Sequence, residues 1–129
     1  MNSTANPAQK KLVVLIDDEP SVLTALKLLM TAIGFNVREF LKPLEAVAYL
    51  KGGGACDIIF CDLRMPELDG IGVLKEVKAS RPELGFVLIS GHATSEDVEH
   101  AKRLGVSAFL GKPFTPQQLK EMVELHAGK

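Results

Sequence analysis

Ile58-Ile59-Phe60-Cys61-Asp62-Leu63-Arg64-Met65-Pro66-Glu67-Leu68-Asp69-Gly70 is the stretch that decides the fold of this chain. An apolar run stops at a carboxylate, a loop punctuated by proline and glycine follows, and Ile71, Leu74 and Val77 then recur at helical spacing. A continuous apolar run suits a strand buried on both faces of a parallel sheet, and the amphipathic segment after it is the covering helix. Ligands of such sheets bind beyond the carboxyl ends of the strands, which places Asp62 at the reactive rim.

The same pattern repeats on either side. Lys11–Asp17 is an aliphatic run leading into Asp18-Glu19-Pro20. Pro20 suits a first helical turn, and Val22, Leu23, Leu26, Met30 and Ile33 carry that helix to a stop at Gly34. Phe35–Phe40 reads as a short strand whose Arg38 and Glu39 make it an edge. Pro43 opens a second helix with Leu44, Val47, Ala48 and Leu50, ending at Gly52-Gly53-Gly54. That triplet reads as a flexible loop, not a phosphate cradle, because it lacks the G-x-x-x-x-G-K-[ST] pattern and precedes a strand.

After the central stretch, Phe86–Ile89 runs into Ser90-Gly91-His92, and Ser107–Leu110 into Gly111-Lys112-Pro113. Pro82 and Gly85 break the chain before the first of these strands. Thr94-x-x-Asp97 resembles a capping box for a helix carrying Val98, Ala101 and Leu104. Thr115-Pro116-Gln117-Gln118 combines an N-cap, a first-turn proline and a reciprocal glutamine, with Leu119, Met122, Val123 and His126 following. Strand and helix alternate five times, which gives a parallel sheet covered by helices on both faces.

The chain has 129 residues and a net charge of −1, so one globular domain is expected. We expect a lead over 1–10, the domain over 11–126 and a tail over 127–129. No basic cluster argues for nucleic acid, and the longest N-terminal apolar run, Leu12–Ile16, is too short for a membrane span or signal segment. The expected location is therefore the cytoplasm. Cys56 and Cys61 make no C-x-x-C pair, and without a histidine cluster they suggest neither zinc nor disulfides.

Four strand ends thus bring Asp17, Asp18, Asp62, Ser90 and Lys112 to one edge. Three acids in one pocket repel, so either a carboxyl is protonated or a cation lies among them. Oxygen ligands without histidine or cysteine favour Mg²⁺ or a similar ion such as Mn²⁺. A carboxylate at a strand tip can act as a nucleophile toward phosphorus, with Lys112 and Ser90 compensating the developing charge. Taken singly, each residue has a plainer reading as a turn, cap or surface group, and Phe109 as core; the conjunction carries the chemistry.

With these residues in view, the chain from about Lys11 to Leu125 resembles the receiver domains of two-component response regulators. The resemblance rests on Leu15-Ile16-Asp17-Asp18-Glu19-Pro20, on Asp62 through Gly70, on Ile89-Ser90-Gly91-His92 and on Lys112-Pro113-Phe114. It implies a single-domain flavodoxin-like (βα)5 fold with strand order 2-1-3-4-5. Asp62 is then the phosphoacceptor. Asp17 and Asp18 are the acidic pair, and Asp18, Asp62 and the backbone carbonyl of Arg64 are direct Mg²⁺ ligands. Ser90 and Phe109 are the switch pair, Lys112 binds phosphate, and Lys112-Pro113 is a cis peptide. Ser90 and Phe109 stand where threonine and tyrosine are commoner, and both keep the required group. Arg64 and His92 occupy positions that tune phosphate lifetime in the family.

The implied partners are a sensor histidine kinase or histidine phosphotransfer protein, and a downstream effector or output domain. The chain is then a switch, as a monomer or a phosphorylation-linked dimer, and an enzyme only toward its own phosphorylation and dephosphorylation. Three rivals remain at this stage. One is a receiver cut from a DNA-binding regulator or hybrid kinase. Another is an aspartate-nucleophile phosphatase, which would want an acid where Arg64 stands. The third is a flavin binder, whose phosphate the anionic loop Asp17-Asp18-Glu19 would repel.

Overall fold

The computed structural model describes residues 10–127, so the expected lead and tail lie almost wholly outside the described residues. The elements in order are β1 (Leu12–Ile16), α1 (Pro20–Ile33), β2 (Asn36–Phe40), α2 (Pro43–Lys51), β3 (Ile58–Asp62), α3 (Gly70–Ser80), β4 (Gly85–Ser90), α4 (Ser95–Arg103), β5 (Ala108–Gly111) and α5 (Pro116–His126). All neighbouring strands are parallel, and the sheet order is β2-β1-β3-β4-β5. This is the flavodoxin-like order expected above, with helices on both faces.

Side chains alternate across each strand, so one sheet builds two cores. Val14, Ile16, Ile59, Cys61, Phe86 and Leu88 face one way, onto α2 and α3. Val13, Leu15, Ile58, Phe60, Val87 and Ile89 face the other, onto α1 and α5. The inner strands are buried on both faces, which is why they read as unbroken apolar runs. β2 is an edge, as Arg38 and Glu39 suggested; the Arg38 guanidinium lies 4.6 Å from the Tyr49 ring centroid and partly covers that edge.

Helix starts follow local chemistry. Asp69 caps α3 by accepting from the Gly72 N–H, and Thr94 and Thr115 complete capping boxes with Asp97 and Gln118. Two readings of glycine need correction. Gly85 does not break the chain before β4; it is the first residue of that strand, paired with Ile58. The Gly52–Gly54 triplet is anchored, not loose. Arg81 donates to the carbonyls of Leu50 and Gly54, and a Cβ at Gly54 would run into the Tyr49 ring.

Candidate phosphoacceptor site

Adjacent parallel strands deliver the acids. β1 ends at Ile16, beside Cys61 of β3, so Asp17 and Asp62 emerge at the same sheet edge. Asp17, Asp18 and Asp62 form a cluster in which one carboxylate oxygen from each lies within 4.8 Å of the other two. Asp17 is buried, whereas Asp18 and Asp62 are partly exposed. Burial pushes the Asp17 carboxyl up from 3.8 to about 6, and the Asp62 and Asp18 charges push the same way. The Glu19 N–H, 2.9 Å from Asp17 Oδ1, and the Lys112 charge act against that rise.

Lys112 reaches across from the end of β5, with Nζ 3.3 Å from Asp62 Oδ1. Its backbone N–H donates to the Ser90 carbonyl, and the Lys112–Pro113 peptide is cis. One ammonium faces three carboxylates, so the cluster is short of positive charge. Its all-oxygen donor set fits a hard divalent cation.

The flanking loop is tightly packed. Gly70 N–H donates to the Leu63 carbonyl at 2.8 Å. A Cβ on Gly70 would sit 2.5 Å from the Asp62 carbonyl oxygen and 2.9 Å from Leu63 Cα, so only glycine lets α3 start this close to the strand tip. Glu67 has φ 69°, and the Leu68 N–H bonds back to the Pro66 carbonyl, which makes a γ-turn in mid-loop.

Ser90 ends β4, on the strand next to Asp62, and its Oγ accepts from the His92 N–H at 3.0 Å. Phe109 lies on β5 beside Leu88, half-buried against the core under α2 and α3. His92 is exposed. Arg64 is turned to α4, where it donates to Asp97 Oδ2 at 2.7 Å. That contact was not legible in the sequence, where Asp97 reads as a cap alone and stands 33 positions from Arg64. The thiols play no visible part here: burial holds both Cys56 and Cys61 in the protonated form, Cys56 at about 12.

The model of the response regulator receiver domain family matches residues 13–124. The chain belongs to that family. As a receiver domain it is a signalling switch of two-component systems and not a conventional enzyme. Among curated relatives, the receiver is 31% identical over 112 residues to the transcriptional regulatory protein ZraR of Salmonella typhimurium, covering 87% of this chain and 25% of the relative. It is 32% identical over 117 residues to the sensor kinase CckA of Brucella abortus, covering 87% of this chain and 12% of the relative. The chain therefore spans a quarter or less of these two proteins.

Among solved structures, a CheY-like receiver domain from Methanospirillum hungatei superposes with a TM-score of 0.85 at 21% identity, covering 91% of this chain and 93% of that one. The receiver domain of sensor histidine kinase PA1611 from Pseudomonas aeruginosa does so at 0.82 and 23%, covering 91% and 97%. That structure holds a magnesium ion coordinated in its active-site cleft. No helix among the described residues of this receiver is long and apolar enough to cross a membrane.

Proposed function

We propose that this receiver is switched by a phosphoryl group carried on Asp62. The observation that supports the reading best is the convergence of Asp17, Asp18, Asp62 and Lys112 at one strand edge. A partly exposed carboxylate beside an ammonium, with two more acids behind it, suits a nucleophile working on an anionic donor.

The donor is a phosphohistidine on a sensor kinase or histidine phosphotransfer protein, or a small phosphodonor. An Asp62 carboxylate oxygen forms the new P–O bond as the P–N bond to imidazole breaks, and the departing imidazole takes up a proton. Lys112 offsets charge on the phosphoryl oxygens as a point cation. Asp17, Asp18, Asp62 and the Arg64 carbonyl hold Mg²⁺ or Mn²⁺. When bound, that ion supplies positive charge to the acids and to the phosphoryl oxygens.

Ser90 exchanges its bond with the His92 N–H for one to the new phosphoryl oxygen, and Phe109 turns into the space it leaves. The face formed by α4, β5 and α5 changes shape, and an effector or output domain that prefers the changed face shifts the population toward it. Arg64 and His92, two positions past Asp62 and Ser90, set how long the adduct lasts. Two free cysteines suit action in the reducing cytoplasm. A second reading, in which the output lies on the same chain, draws on the 25% of ZraR that this receiver spans.

Intact-mass spectrometry after incubation with acetyl phosphate tests the reading. One added phosphoryl group should appear on the wild type with Mg²⁺, and none on Asp62→Ala or with chelator. An adduct that survives Asp62→Ala would refute the assignment.

A further inference from the structure

Arg64 lies on the loop leaving β3, two positions past Asp62. Asp97 lies in the first turn of α4, on the segment that leaves β4 at Ser90. Their 2.7 Å ion pair therefore bridges the two loops that border Asp62 on its β4 side. Asp97 Oδ2 also accepts the Thr94 backbone N–H at 3.0 Å, and the Asp97 N–H returns a bond to Thr94 Oγ1. The capping box thus fixes the carboxylate independently of Arg64. The arginine is the movable partner, with 57% of its side chain exposed against 18% for Asp97.

A guanidinium is a planar fork that pairs as readily with phosphoryl oxygens as with a carboxylate. Phosphorylation of Asp62 would replace its single carboxylate charge with a phosphoryl group carrying about two, within a short loop's reach of Arg64. Two anions would then compete for one cation. We propose that Asp97 is a positioning residue that competes with the Asp62 phosphoryl group for Arg64, holding the guanidinium against α4 and away from the phosphorus. The inference rests on Asp62 being the phosphoacceptor.

Without the Asp97 charge, Arg64 swings to the phosphoryl oxygens. There it stabilises the adduct through charge-assisted bonds and stands in the path of attacking water. Asp97 therefore keeps the phosphate short-lived. It also ties the site loop to α4, so any phosphoryl group that does capture Arg64 cuts that tie.

The test measures the lifetime of the acetyl-phosphate adduct by intact mass, in excess Mg²⁺, for wild type, Asp97→Asn, Arg64→Ala and the double variant. Asparagine keeps an oxygen for the Thr94 N–H, and an unchanged thermal midpoint verifies that the cap survives. Asp97→Asn should lengthen the lifetime about threefold or more, and adding it to Arg64→Ala should change nothing further. In metal-free protein, Asp97→Asn should also shift the Arg64 guanidinium signals in nitrogen–proton NMR spectra. An unchanged or shortened lifetime, a lengthening that persists without Arg64, or unshifted guanidinium signals would each overturn the proposal. If the wild type forms no Asp62-dependent adduct, the phosphoacceptor reading fails first and this inference falls with it. An adduct without coupling to Arg64 defeats this inference alone.

Discussion

Asp17 shows how far one residue can be worked against its own stability for the sake of a site. Its carboxyl is nearly sealed from water and stands beside two further acids. A folded-state value of about 6 against an ordinary 3.8 means that the native chain holds its proton longer than the unfolded chain. Stability is therefore full below about pH 4 and falls as pH rises through about 6, by about 3 kcal/mol in total. Asp17→Asn removes that loss and keeps an oxygen for the Glu19 N–H. In chelator, thermal melts should show the variant more stable by up to about 3 kcal/mol near pH 7.5 and nearly equal to wild type near pH 4. A gap of the same size at both pH values would mean that charge at Asp17 is not what destabilises the fold. The acids at this rim were legible in the sequence, because each follows an apolar run. The Arg64–Asp97 pair was not, because a surface ion pair between loops leaves no local pattern.

Elements begin and end where caps and glycines allow. The two capping boxes and the prolines at the starts of α1, α2 and α5 are local devices and were readable as such. Gly85 is a different case. Its role comes from α5, whose His126 carbonyl closes on the start of β4 so tightly that a Cβ there would overlap it. Gly85→Ala should cost about 3 kcal/mol, read as a lower urea midpoint with the far-UV spectrum retained. A variant as stable as wild type would show that the end of α5 yields easily. In the sequence Gly85 looks like a chain break, since nothing near it announces contact with the end of a helix, His126, 41 positions further on. The glycine triplet misleads for the same reason, because Arg81 holds the Gly54 carbonyl and Tyr49 the neighbouring Ala55 carbonyl.

The molecule as a whole is unevenly anchored. α3 buries Ile71, Val73, Leu74 and Val77, whereas α4 buries Ala101 alone. Its Val98, and Leu104 just past its end, are only partly covered. Apolar burial is the main source of helix stability in a folded chain, so α4 sits nearest to local unfolding. Native-state hydrogen exchange should find α4 the fastest-exchanging helix and β1, β3 and β4 the slowest segments. Equal protection in α4 and α3 would contradict this and would weaken α4 as the moving part of a switch. The sequence by itself determined the alternation of strand and helix, the inward runs and the acids at strand ends, because hydrophobic period and caps are local signals. Family resemblance added the strand order, and tertiary structure alone decided the contacts themselves: that Lys112 Nζ stands 3.3 Å from Asp62 Oδ1 and that Arg64 is shared with α4. Those contacts join residues tens of positions apart, and only the packing of five parallel strands brings them within bonding distance.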